Sequence, residues 1–153
     1  MKLAEALILR ADKQKRIEQL RGRLARSAKI QEGEKPPENP NELLQELDVL
    51  IKDLQSLVKS INKTNSTTLI NGNISIADFL ADRDSIFLKR SVIESLIHAA
   101  SLKQDRYSKS EVKYLSTVDV SVLQKESDNL SKSYRELDTK IQEINWKNDL
   151  IGN

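Results

Sequence analysis

NELLQELDVLIKDLQSLVKSIN, residues 41–62, decides the fold. Leu43, Leu47, Leu50, Leu54, Leu57 and Ile61 recur at alternating spacings of four and three. This is a seven-residue apolar repeat on one narrow helical face. A second repeat runs through residues 120–151. Val120, Leu123, Ser127, Leu130, Tyr134, Leu137, Ile141, Ile144, Asn148 and Ile151 hold the same register, and only Ser127, Tyr134 and Asn148 are polar. A narrow continuous seam requires each helix to lie along another helix for most of its length.

Working outward, the spacing predicts helix one over 1–31, with Leu3, Ala6, Leu7, Ile17, Leu20, Leu24 and Ala28 on one face. Residues 32–40 hold Gly33, Pro36, Pro37 and Pro40, which end that helix and force an extended connection. Helix two covers 41–65, capped by Asn39 or Asn41 with Glu42 in its first turn. Residues 66–74 break the helical period, and Asn71-Gly72 signals a tight turn. Helix three follows over 75–103 behind Ser75. Residues 104–118 form a loop and then a strand, Val112–Val118, expected to pair with 67–70. Asp119 caps helix four, 119–151. The expected fold is a single mainly α domain, an elongated antiparallel four-helix bundle with a short two-stranded β element at one end.

Composition narrows the function classes. Cysteine is absent, which removes disulfides, thiolate catalysis and zinc–thiolate sites together. The formal net charge is only +2. Helix one carries nine basic side chains against three acidic ones, while 31–55 carries seven acidic against two basic. An antiparallel hairpin of helices one and two sets these blocks side by side. The basic helix therefore calls for no nucleic-acid partner, and interleaved stacking aromatics are missing. No run approaches the ~20 apolar residues of a membrane span, and the N-terminal apolar run is too short for a signal peptide. A cytoplasmic protein is expected. A thin bundle buries little surface per residue, which points to a homodimer or higher oligomer.

Polar residues inside the apolar faces are the candidates for function. Arg83 and Arg90, seven apart, fall on the buried face of helix three between Phe79, Ile86 and Ile93, with Glu94 beside them. Arg10, Gln14 and Arg21 fall on the seam of helix one. Charges on a buried stripe are costly unless paired. They form an interhelical ion network, or they line a pocket for a small anionic ligand such as a phosphate or nucleotide, because guanidinium forks suit oxyanions. Asn62, Thr64 and Asn65 either ring the mouth of such a pocket or close helix two through a left-handed Asn. Tyr107 and Ser108, in a polar loop, supply further donors or are simply solvated. His98, the only histidine, lies at the edge of its face without a triad partner. No metal site and no cofactor motif are read from the sequence, and the balance leans away from an enzyme. Trp146 lies off the seam and either covers the end of the bundle or anchors a subunit contact.

Several stretches together resemble the septicolysin-like family of small uncharacterised bacterial proteins. They are Leu3-Ala4-Glu5-Ala6-Leu7, Arg10-Ala11-Asp12, Gln31-Glu32-Gly33-Glu34, Ile61-Asn62-Lys63-Thr64-Asn65, Leu80-Ala81-Asp82-Arg83-Asp84, Tyr107-Ser108-Lys109-Ser110-Glu111 and Arg135-Glu136-Leu137-Asp138 through Asn145-Trp146. The resemblance implies a bacterial origin and no activity that can be carried over. Its name adds a membrane-active, cytolysin-like protein as an alternative. The leading expectation is a homo-oligomeric helical interaction or scaffold protein.

Overall fold

The computed structural model describes residues 1–102 and 112–152. The protein is mainly α, a helical bundle with a short β element, as the sequence predicts. The elements are α1 (Leu3–Arg26), α2 (Pro40–Thr67), β1 (Leu69–Asn71), β2 (Ile74–Ser75), α3 (Ile76–Ser101) and α4 (Val120–Lys147). They form two compact units. One holds residues 1–76 and 142–153, the other 77–141.

In the first unit α1 and α2 form an antiparallel hairpin. Leu20, Leu43 and Leu50 make its centre, flanked by Ile17, Leu24 and Leu47. Charge complementarity appears as ion pairs from Lys13 to Asp53 at 3.2 Å and from Arg23 to Glu38 at 2.6 Å, with Glu46 3.6 Å from Arg23. Helix α1 ends at Arg26, four to five residues before the expected end. Ala28, Lys29 and Ile30 are exposed, so nothing rewards further helical turns. Pro40 occupies the first turn of α2 behind the Asn39 cap, whose Oδ1 accepts from Asn41 N at 3.0 Å. At its other end α2 outlasts the expected boundary. The backbone ladder runs on until Thr68 N donates to Thr64 O, and within these last turns Thr64 Oγ1 donates to Ser60 O and Thr67 Oγ1 to Lys63 O.

The strand expectation for Val112–Val118 is overturned, because that stretch is irregular. Instead β1 pairs with β2, Leu69 opposite Ser75 and Asn71 opposite Ile74. Gly72, at φ 56°, makes the turn. Closing a loop of a few residues costs less entropy than joining strands some forty residues apart.

In the second unit α3 and α4 are antiparallel. The inward face of α3 is itself a heptad. Phe79, Arg83, Ile86, Arg90, Ile93, Ile97 and Ala100 are buried or half-buried. The predicted α4 seam matches, with Leu123, Ser127, Leu130, Tyr134, Leu137 and Ile141 all buried or half-buried. Asp119 caps α4 by accepting from Val122 N at 3.2 Å.

Candidate functional site

The two arginines on the α3 seam lie in the second unit and are engaged with carboxylates. Arg83 Nη1 donates to Asp138 Oδ1 of α4 at 2.9 Å, and Asp84 lies 3.5 Å from its Nε. Arg90 Nη2 stands 3.0 Å from Glu94 Oε1, one turn along α3. The same Glu94 oxygen accepts from Ser127 Oγ at 3.3 Å. Ser127 thus interrupts the α4 repeat because it meets the Arg90–Glu94 pair. Tyr134 has a comparable reason, since its ring sits 6.0 Å from Phe87 at a tilted angle. Lys140 lies 4.8 Å over the Phe79 ring. The Nε atoms of Arg83 and Arg90 are buried without a hydrogen-bond partner.

Arg10, Asn62, Thr64 and Asn65 belong to the first unit. Arg10 is half-buried on α1, whereas Gln14 and Arg21 are exposed. The seam expectation for Arg21 is thereby corrected: it pairs with Glu18 one turn earlier at 3.1 Å, both side chains largely in solvent. Asn62 and Asn65 are helical, and no residue other than glycine has positive φ among the described residues. The left-handed cap expected of them is therefore absent. Thr64 is fully buried. Its hydroxyl donates to Ser60 O at 2.8 Å and accepts from Ile151 N at 2.9 Å.

That last bond belongs to a clasp between the ends of the chain, which the sequence reading missed. Leu3 N donates to Asn148 O and Leu150 N to Met1 O, each at 2.9 Å. Lys2 Nζ pairs with Asp149 at 2.9 Å. Asn148, the third polar residue of the α4 repeat, turns its side-chain amide to Ile144 O at 2.8 Å. Its position in the repeat was the available signal. The Lys2 hydrogen bond and charge hold the Asp149 carboxyl below the usual carboxylate range, against an opposing effect of desolvation. Arg23 lowers Glu38 in the same way, through its hydrogen bond first.

The first unit also carries an open apolar groove of about 350 Å³ lined by Ile17, Leu24, Leu47 and Ile51, with Arg21 at its edge. The heptad reading marked the first three as core; that they form a groove depends on how the hairpin packs. Among the described residues no cluster of His, Asp or Glu could hold a metal ion. No helix there is long and apolar enough to cross a membrane. His98 is exposed in the last turn of α3, and Trp146 is 54% exposed. Tyr107 and Ser108 lie outside the described residues.

A crystal structure of a functionally unknown conserved protein from Corynebacterium diphtheriae is similar to this chain. The two share 42% identity over 99% of each chain, with a TM-score of 0.90. No curated protein matches the chain. The model of a family of unknown function, DUF6847, matches residues 10–150, and the chain belongs to that family.

Proposed function

We propose that the protein is a cytoplasmic helical interaction or scaffold protein that assembles with itself. The carrying observation is the groove of Ile17, Leu24, Leu47 and Ile51, an apolar core that opens to solvent rather than closing over itself. Exposed Leu44, on the same side of α2 as Leu47 and Ile51, extends this apolar surface. Arg83, Arg90, Ser127, Thr64 and Asn148 each have a partner within their own unit, as an architectural role requires. Native mass spectrometry and light scattering across a concentration series test the reading. A discrete oligomer at the bare chain mass supports it, and a monomer at every concentration overturns it.

One observation favours a second reading, a binder of a small anionic ligand. The Nε atoms of Arg83 and Arg90 make no hydrogen bond, although Asp84 stands 3.5 Å from that of Arg83, so both guanidinium groups retain donor capacity of the kind an oxyanion uses. A melting temperature that climbs with added phosphate or nucleotide supports this alternative. Identification with the septicolysin-like family is part of the same proposal. It brings membrane activity as a competing outcome, which dye release from liposomes would reveal.

A further inference from the structure

Helix α3 carries two heptads on opposite faces. The inward one meets α4. The outward one runs Ala81, Ser85, Leu88, Val92, Ser95 and Ala99, and Leu102, directly after the helix, continues the spacings of four and three. Every one of its residues is exposed. Leu88, Val92 and Leu102 are each more than 60% exposed. From Ala81 to Ala99 the stripe is about 27 Å long at 1.5 Å per residue and carries no charge. A solvent-facing helical surface ordinarily carries the charged residues, and a helix apolar on both sides is one with partners on both sides.

Resting on the self-association reading above, we propose that this outward seam of α3 is the contact surface for a second copy of the same chain, joined as a parallel two-fold coiled coil. In heptad terms Ser85, Val92 and Ala99 are a positions, and Ala81, Leu88, Ser95 and Leu102 are d positions. Valine at a with leucine at d is the pattern of two-stranded parallel coils. The flanking charges select the occupant. Asp84 stands at g and Lys89 at the following e, and in a parallel pair each Asp84 faces the partner's Lys89. Two such pairs form symmetrically. An antiparallel pairing sets g against g and e against e, so Asp84 and Lys89 no longer meet. Both side chains are exposed; Asp84 lies a long 3.5 Å from Arg83, which keeps its 2.9 Å pair with Asp138, and Lys89 meets Glu126 in a solvent-exposed pair of little worth. Exchange therefore costs little. The Ser95 hydroxyl donates to Ser91 O at 3.1 Å, so it enters a dry seam without an unpaired donor. Alanine and serine at the remaining positions allow close approach of the two helices.

The absence of cysteine makes the test clean. Ser85→Cys and Ala99→Cys are made singly in the full chain and oxidised at low concentration. In a parallel seam each residue faces its own copy, so both variants give disulfide-linked dimers. Failure of both to cross-link while the protein remains oligomeric overturns the proposal. Val92→Glu is expected to weaken the dimer roughly hundred-fold or more with helicity unchanged. Val122→Glu, at a valine of α4 as exposed as Val92 and outside both the groove and the seam, leaves the dimer intact. If Ile51→Glu dissociates the oligomer and Val92→Glu does not, self-association stands and the α3 seam is refuted. A wild-type chain that is monomeric at all concentrations removes both.

Discussion

Arg83 of α3 and Asp138 of α4 close a 2.9 Å ion pair across the seam of the second unit, with both side chains at least partly shielded from water. The pair accounts for an arginine in the middle of an apolar face. Removing one partner leaves a shielded charge alone, whereas removing both leaves only a packing problem. Arg83→Met and Asp138→Leu, each alone, are expected to cost about 1–3 kcal/mol. The double variant Arg83→Met with Asp138→Leu should recover most of that loss. Urea denaturation of the two singles and the double measures it. A double variant as weak as the sum of the singles would show that the pair is not a coupled unit.

Thr64 serves two backbone groups with one hydroxyl, the carbonyl of Ser60 and the amide of Ile151. Thr64→Val keeps the shape and loses both bonds. It should lower stability by about 1–3 kcal/mol, chiefly by leaving the Ile151 amide unpaired. Hydrogen exchange should accelerate at residues 148–152 and stay unchanged in the second unit. Thr64→Ser, which retains the hydroxyl, separates the bond from the methyl group.

Gly72 adopts φ 56° in the turn between β1 and β2. A Cβ there would meet no neighbouring atom within 4 Å, so the penalty is conformational rather than steric crowding. Gly72→Ala should destabilise by about 1 kcal/mol and Gly72→Asn by less, because asparagine tolerates the left-handed region better. Thermal unfolding of the two variants ranks them. Equal losses would argue against a backbone origin.

Asp149 and Glu38 have carboxyls lowered by Lys2 and Arg23 respectively. A folded-state value below the unfolded one gives stability that is complete above the ordinary carboxylate value of about 4 and is lost as pH falls through the lowered value. The terminal clasp should therefore loosen on acidification. NMR should show the Leu3 amide losing protection as Asp149 protonates. Lys2→Met should move the Asp149 titration back toward the ordinary range. An unmoved Asp149 in that variant would remove Lys2 as the cause.

The heptads of α2 and α4 were legible because apolar spacing is a local property of the chain. Their cost is met by any helix that lies alongside, so the helices, caps at Asn39 and Asp119, and the charge match of α1 with α2 all follow from residue order. Gly72 likewise announced a turn. The strand expected at Val112–Val118 failed because alternation identifies a pleated surface without naming its partner, and the short loop to β2 won on closure entropy.

What the sequence by itself determined is thus the helical class, the seams and the residues that interrupt them. The tertiary structure decided what those interruptions touch. Ser127 needed Glu94, Arg83 needed Asp138 and Thr64 needed Ile151, and each pair is separated by at least thirty residues. Hydrogen bonds are short-ranged and directional, so only the packed chain selects which donor meets which acceptor. The same packing revealed that α3 spends one of its two heptads on α4 and leaves the other exposed.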